Sequence, residues 1–183
     1  AAIKLHESVA SKLEIIDKIV IRTQEPAIRI ISKVGKLANA ADRDHCIQYM
    51  VAVGLIFGDL IAEYYEDDFH QENQLIDKLR DKMIIEEDNQ FSMDYLDPEK
   101  RSIANAVQVF FNDGTCSDDI QIEYPIGHKK RREEGIPLLE EKFWNNLNTC
   151  FDKDKSKLIY DLCLDQEKLE KTKVHEFMEL FVK

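Results

Sequence analysis

The residues of this chain best suited to chemistry lie in one short stretch, Asp42–Tyr49, which is followed by the apolar run Met50–Phe57. Residues four apart share a face of an α-helix, so His45 and Tyr49 are predicted to point the same way, with Arg43 in the turn before them. A guanidinium, an imidazole and a phenol then cluster where a buried helix begins. Because the N–H groups and partial positive charge of a helix N-terminus also attract anions, we expect a carboxylate-bearing ligand here.

Each of these three side chains also has a structural interpretation. Arg43 can pair with a surface Asp, His45 can lie in the cap region of the helix, and Tyr49 can be a core aromatic residue. The sequence alone leaves both interpretations open.

Other polar groups are weaker candidates for chemistry. His128 follows Gly127 in the segment Tyr124–Arg132, where the basic residues behind it could face an anion, but it could equally be a surface loop residue. The stretch Tyr64–Asp68 carries adjacent carboxylates that would repel a polycarboxylate, so we assign it no ligand contact. The remaining histidines lie in charge-rich helical contexts and are expected to be solvated: His6, His70 and His175.

Composition bounds the class of protein. The 183 residues are 44% hydrophobic and 33% charged, which is typical of a folded domain with a sizeable core. The formal net charge of -11 argues against a nucleic-acid partner, and the single basic run, Lys129–Arg132, is interpreted as a solvated surface. The longest apolar stretch, Met50–Ala62, is interrupted by Asp59 and is too short to cross a bilayer, so we expect no membrane segment.

The cysteines do not predict a metal site. They are far apart, no C-x-x-C pair occurs, and no histidine lies at a zinc-finger spacing: Cys46, Cys116, Cys150 and Cys163. We expect reduced, buried thiols and no metal ligands.

The periodicity of apolar residues predicts an α+β fold. Strands are predicted at 18–23 and 83–85, together with a hairpin whose strands include Val107, Val109 and Ile122 and whose turn is Asn112-Asp113-Gly114. Helices are predicted to start at Glu25-Pro26, to run from Asp42 to near Gly58, and to cover 74–82, 137–150, 156–164 and 174–181. We expect a short antiparallel sheet with this hairpin packed against helices, in a single domain over residues 1–183.

Longer blocks of the sequence carry a resemblance. They are Asp42–Phe57, Tyr95–Ala106, Tyr124–Arg132 and Gly135–Phe143. With these blocks the chain resembles the C-terminal part of the MmgE/PrpD family from Ala1 to Lys183. Ala1 is not a Met, and the pattern Ala2, Leu5, Val9 looks like a helix already under way, so we interpret the chain as a fragment that lacks the family's large N-terminal helical domain.

The resemblance implies a function. It implies a metal-independent hydro-lyase that converts 2-methylcitrate to 2-methylaconitate in the methylcitrate cycle of propionate catabolism, with no cofactor. The tricarboxylate would lie in a cleft between the two domains, with Arg43 and His45 as carboxylate contacts, Tyr49 as a supporting donor and His128 as a further contact. The catalytic acid and base are not assigned. The family also implies a homodimer in the cytoplasm, or in the mitochondrial matrix of a eukaryote.

Two alternatives stay open at this point. One is a sister activity of the family, aconitate decarboxylation or epimerisation, and the other is a stand-alone interaction module. Because this chain has few acid–base groups of its own, we expect it to be inactive in isolation.

Overall fold

The computed structural model describes residues 1–182. The chain divides into two compact units, Ala1–Pro125 and Ile126–Lys183. The strands of the first unit are β1 (Ile16–Thr23), β2 (Met83–Glu87), β3 (Asn105–Phe111) and β4 (Ile120–Ile122). Its helices are α1 (Ala2–Val9), α2 (Glu25–Ile31), α3 (Ala40–Asp44), α4 (Ile47–Phe57), α5 (Asp67–Glu72), α6 (Leu75–Arg80) and α7 (Asn89–Leu96). The second unit contains α8 (Arg132–Cys150), α9 (Lys153–Leu164), α10 (Gln166–Lys171) and α11 (Val174–Glu179).

The predicted α+β class is confirmed, but the sheet is mixed rather than antiparallel throughout. Its strand order is β2-β1-β3-β4, in which β1 pairs with β2 in parallel and with β3 antiparallel. The expectation of an antiparallel sheet failed because β1 and β2 are joined by the long helical stretch 24–82, and only such a crossover allows two strands to run the same way. The expectation of one domain over 1–183 stays a prediction.

Strand β1 lies inside the sheet and fills the core from one face. Ile19 and Ile21 are buried two residues apart, as alternation predicts, and Ile16 is buried as well although it lies three residues before Ile19. A bulge in the pairing with β3, between Ile16 and Lys18, shifts the alternation by one residue and brings Ile16 to the inner face.

The hairpin prediction is confirmed. β3 and β4 pair antiparallel, and the N–H of Phe111 donates to the carbonyl of Thr115 across the turn at 2.9 Å. Gly114 in this turn has a φ of +83°, a left-handed conformation that glycine adopts without strain.

Helix α4 is the centre of the first unit. It is apolar on every side, and most of its residues are buried against α1 and α6 and in the same core as β1 and β3. It ends as predicted, because Gly58 takes a left-handed conformation with a φ of +70° and its N–H donates to the carbonyl of Gly54.

The second unit is built from helices with a small core of its own. Its buried apolar side chains are Leu147, Ile159 and Leu162, and Tyr160 contacts the rings of Phe143 and Trp144. Leu139, an apolar residue of α8, is 65% exposed and does not belong to this core. No helix in residues 1–182 combines the length and the apolar character needed to cross a membrane.

The free cysteines differ in burial. Cys46 is buried, whereas Cys116 and Cys150 are exposed, so the expectation of buried thiols is wrong for these two.

Replacing Gly58 by Ala is expected to destabilise the chain by two effects. The left-handed backbone costs a non-glycine residue about 1 kcal/mol or more, and the new Cβ would lie 2.6 Å from Cδ2 of His6. That ring cannot retreat freely, because its Nδ1 is hydrogen-bonded to the carbonyl of Leu55 at 3.0 Å; His6 is therefore anchored rather than solvated, contrary to expectation. The free energy of unfolding, measured by urea denaturation, should fall by about 3 kcal/mol.

Gly114→Ala is the matched control, because Gly114 shares the left-handed conformation but a Cβ at this position would have no other atom within 4 Å. It should cost about 1 kcal/mol. Equal losses for the two variants would show that His6 does not restrict position 58.

Candidate functional site

The stretch 42–49 forms two helices rather than the start of one. Helix α3 begins earlier than predicted, with the side chain of Asn39 accepting from the N–H of Asp42 at 2.9 Å, and it ends before His45. A continuous helix would turn Asp42 and Gln48 about 120° apart. Both side chains instead bond Lys33, Asp42 to its Nζ at 3.3 Å and Gln48 to its N–H at 3.1 Å, and the break at 45–46 makes this possible.

Arg43 is the most deeply buried charge of the unit, with its side chain 2% exposed. Its Nε donates to the carbonyl of Tyr65 at 2.6 Å, a terminal nitrogen donates to the carboxylate of Asp67, and the other lies 3.4 Å from Nδ1 of His70. All three guanidinium nitrogens are therefore engaged by the segment 65–70. The stretch Tyr64–Asp68, to which the sequence assigned no role, supplies two of these partners.

His70 continues the network and is only 14% exposed, so the expectation that it is solvated is wrong. Its Nε2 lies 3.0 Å from the carboxylate of Asp77, which only accepts, so Nε2 donates and Nδ1 accepts from Arg43. Asp77 also pairs with Arg80, and Arg80 donates to the carbonyl of Gly35 at 2.9 Å.

This Arg43 network, defined as Asp67, Arg43, His70, Asp77 and Arg80, balances two cations with two carboxylates around one imidazole. Balanced pairing is what allows charges to be withdrawn from water without a prohibitive desolvation cost. The sequence contains the i,i+3 pair of Asp77 and Arg80, but no pattern in it predicts that His70 is buried.

Tyr49 is fully buried and is also held by the segment that binds Arg43. Its hydroxyl donates to the carbonyl of Tyr64 at 2.6 Å, and its ring stacks on Tyr65 and meets His70 edge to face. Burial raises the pKa of Tyr49 to about 12, although the nearby Arg43 opposes this shift. Tyr49 is therefore a poor proton donor at neutral pH.

His45 has the opposite character. It lies at the C-cap of α3 with its side chain 62% exposed, and its Nδ1 is 2.5 Å from a carboxylate oxygen of Asp44. Its Nε2 has no hydrogen-bond partner within residues 1–182. An imidazole oriented by a carboxylate with its second nitrogen accessible can bind an anion or transfer a proton.

The three residues of this stretch thus have the contacts of the structural interpretation: Arg43 pairs with an exposed Asp, His45 is a cap residue and Tyr49 is in the core. Arg43 and Tyr49 are brought together, but His45 and Tyr49 do not share a helix face because His45 lies between α3 and α4. A direct contact with substrate stays a prediction for each of them.

His128 lies in the second unit and caps the short 3-10 turn Lys129–Arg131. Its Nδ1 accepts from the N–H of Lys130 at 3.2 Å, so this nitrogen is already used by the backbone. Its contact with substrate likewise stays a prediction.

The network borders a polar cavity on the first unit. Arg43 and His70 form part of its wall beside Lys36, Gln74, Lys78 and Asp81. The lining contains charges of both signs, which does not select for a polyanion. Among the side chains of residues 1–182, no group of three or more His, Cys, Asp or Glu is placed to hold a metal ion.

Arg43→Lys should reveal how much the first unit depends on the network. Lysine keeps the charge, but one ammonium cannot reach Tyr65, Asp67 and His70 together, so we expect the free energy of unfolding to fall by about 3 kcal/mol in urea denaturation. Arg29→Lys is the control, since Arg29 is 76% exposed in an i,i+4 pair with Glu25 and should change stability by less than about 0.5 kcal/mol. Similar effects for both variants would contradict the role of Arg43.

Tyr49 should make stability fall at high pH. Its pKa is about 12 in the folded chain against an ordinary value of 10.0, so the unfolded chain loses this proton first. The contribution is complete below pH 10 and is lost as the pH rises to about 12. Urea denaturation across this range should show a shallower decline for Tyr49→Phe, which at neutral pH also loses about 1 kcal/mol with its hydrogen bond.

Tyr160→Phe is the control, because it removes a phenol from the second unit. It should leave the steep fall in the free energy of unfolding at high pH unchanged. An unchanged pH dependence in Tyr49→Phe would exclude Tyr49 as its source.

Comparison with known proteins places these features in a family. The family model of the MmgE/PrpD C-terminal domain matches residues 1–166. A 2-methylcitrate dehydratase of Salmonella typhimurium is 51% identical over 167 residues, which cover 91% of this chain and 34% of the relative. A mitochondrial 2-methylcitrate dehydratase of Yarrowia lipolytica is 45% identical over 186 residues, 100% of this chain and 35% of the relative.

A fungal alkylcitrate dehydratase is more distant, at 42% identity over 173 residues, 93% of this chain and 33% of that relative. The chain thus spans about a third of the length of the curated relatives it matches. The match to the family model covers the whole first unit and continues into the second as far as residue 166. The chain therefore belongs to the MmgE/PrpD family, as a C-terminal domain of that family.

Proposed function

We propose that this chain is the C-terminal domain of a hydro-lyase that removes water from 2-methylcitrate to give 2-methylaconitate, a step of the methylcitrate cycle in propionate catabolism. The observation that carries the proposal is the identity of about half of all matched residues with a 2-methylcitrate dehydratase over nearly the whole chain. Fold and length agree with a domain that works together with a larger partner domain.

The reaction sets the chemical requirements. A base removes a weakly acidic proton beside a carboxylate, an acid protonates the departing hydroxyl, and the electron pair of the broken C–H bond forms the double bond. Donors or cations must stabilise the charge that builds on the neighbouring carboxylate. This chain needs no metal in such a scheme, and we propose that most of the acid–base groups belong to the N-terminal helical domain.

Of the residues singled out, His45 has the contacts that suit a substrate carboxylate. Asp44 orients its ring, the side chain is 62% exposed, and Nε2 has no hydrogen-bond partner within residues 1–182. Burial first, and then the charge of Asp44, raise the pKa of Tyr65, so the Asp44–His45 pair lies close to the segment held by Arg43.

We propose that Arg43 and Tyr49 support the segment beside His45 rather than contact the substrate. Both bind consecutive backbone carbonyls, those of Tyr65 and Tyr64, and they fix the segment next to His45. A direct contact of Arg43 with a carboxylate would require it to exchange a present partner, and Asp67, the exposed one, is the partner that a substrate carboxylate could replace. His128 is proposed as a further contact from the second unit.

Other parts of the proposal follow from the family. The complete protein is expected to be a homodimer and to act in the cytoplasm, or in the mitochondrial matrix of a eukaryote; the name of the Yarrowia lipolytica relative states that that protein is mitochondrial. Aconitate decarboxylation, epimerisation and a stand-alone interaction module are the competing functions.

Reconstitution from two parts tests the proposal. The 183-residue chain is mixed or co-expressed with the part of the Salmonella typhimurium relative that precedes the matched region, and formation of the conjugated product is followed by ultraviolet absorbance. We expect no turnover by the chain alone and turnover of 2-methylcitrate by the pair. His45→Gln should lower kcat/KM of the pair by about 100-fold.

His175→Gln is the matched control, because His175 is exposed in α11 and lies beyond the residues matched by the family model. Turnover by the isolated chain would contradict the need for a partner domain. Turnover of a different polycarboxylate, but not of 2-methylcitrate, would support a sister activity, and an upstream reading frame without a helical domain would favour the interaction module.

A further inference from the structure

The first unit contains a second, mainly apolar cavity of about 260 Å³ that is distinct from the polar one beside Arg43. It lies where the C-terminal end of β1 meets α1, α2 and α4. Its walls are largely aliphatic and include Ile21, Ile31, Ile47, Met50, Val51 and Leu60. An apolar cavity of roughly 150 Å³ can hold benzene, so this one has room for an alkyl group of about six carbons.

One buried amide lines this cavity without a full set of partners. Gln24, directly after β1, is 5% exposed, and its Oε1 accepts from Oγ1 of Thr23 at 2.5 Å. Its Nε2 has no hydrogen-bond partner among residues 1–182. Because this amide nitrogen has no acceptor among the described residues, it is able to donate a hydrogen bond to an acceptor in the cavity.

The side chain of Asn105 lines the same cavity and likewise forms no hydrogen bond within residues 1–182. Two residues with amide side chains, together with Thr23, thus line a mainly apolar space. A concave apolar site with a few oriented polar groups is the usual form of a small-molecule site, and this volume suits a ligand smaller than a drug molecule.

We propose that this cavity is the subsite for the alkyl arm of the substrate, with the amide of Gln24 donating to a carboxylate oxygen at the base of that arm. The inference rests on the proposed function, and it identifies the alkyl arm as the part of the substrate that this chain recognises. The names of the relatives differ in the alkyl arm of the substrate. Some are named for 2-methylcitrate, and the fungal relative is named for an alkylcitrate. The cavity is much larger than a methyl group, so longer arms should be accepted.

Binding to the 183-residue chain tests this without any need for turnover. Met50 lines the cavity, whereas Met93 is exposed on α7 and Met178 is exposed on α11, so methionines labelled with ¹³C at the methyl group provide one reporter and two internal controls. Titration with acetate, butyrate and hexanoate should shift the Met50 signal alone. Each added methylene should tighten binding by about fourfold, up to the capacity of the cavity.

Three matched changes separate the groups involved. Gln24→Leu keeps the bulk but removes the donor and should weaken hexanoate binding at least about tenfold. Gln121→Leu, the same change on an exposed position of β4, should have no effect. Ala27→Leu adds volume to the wall and should abolish the Met50 shift.

The amino group of Ala1 belongs to a residue that also lines the cavity, and it could attract a carboxylate by itself. Acetylation of this group should change the affinity for hexanoate by no more than about twofold, because the amide of Gln24 donates the hydrogen bond to the carboxylate oxygen. Loss of binding on acetylation would overturn the proposal.

The proposal is also overturned if no carboxylate shifts Met50, if affinity is independent of arm length, or if Ala27→Leu binds as well as the parent chain. The arm-length series and Ala27→Leu decide the question even if Gln24→Leu does not fold. An inactive reconstituted enzyme together with a Met50 shift would remove the proposed function but keep the alkyl site. Turnover of 2-methylcitrate without a Met50 shift would keep the proposed function but remove the alkyl site.

Discussion

The desolvated guanidinium of Arg43 is the interaction on which the first unit depends. A charge that is removed from water must find its partners within the protein, and Arg43 finds all of them in one segment, through the carbonyl of Tyr65, the carboxylate of Asp67 and the ring of His70. This requirement helps to fix the segment 64–70, in which Tyr64, Tyr65 and Phe69 also pack against the core. The position of that stretch in turn determines where Tyr49 can place its hydroxyl and what surrounds Asp44 and His45.

The same dependence explains why residue types alone gave a partial account of the site. The cluster of Arg43, His45 and Tyr49 was predicted from helical spacing, yet α3 and α4 are separate helices and the three side chains differ in exposure from 0% to 62%. The break places Asp42 and Gln48 where both bond Lys33, a residue that lies outside the motif. Spacing rules describe neighbours on one helix, and they contain no information about a third segment that competes for the same side chains.

Elements governed by local chemistry were predicted well. The turn at Gly114, the end of α4 at Gly58 and the start of α2 at Pro26 all follow from backbone preferences of single residues. Features decided by distant partners were missed: the parallel pairing of β1 with β2, the burial of His70, and the bulge that brings Ile16 to the core. The apolar cavity belongs to this second kind, because its walls come from several elements far apart in sequence.

The place of β1 in the sheet has a consequence for how the chain acquires its structure. Its neighbours are β2 and β3, which follow it by about 60 and 90 residues, so both edges of an isoleucine-rich strand stay without partners while much of the unit is being synthesised. Such pairings of high contact order form late, and an unpaired apolar strand can recruit other chains in the meantime. Assembly of this domain is therefore expected to be slow and to depend on completion of β3, which makes nascent or truncated forms the ones most in need of a chaperone.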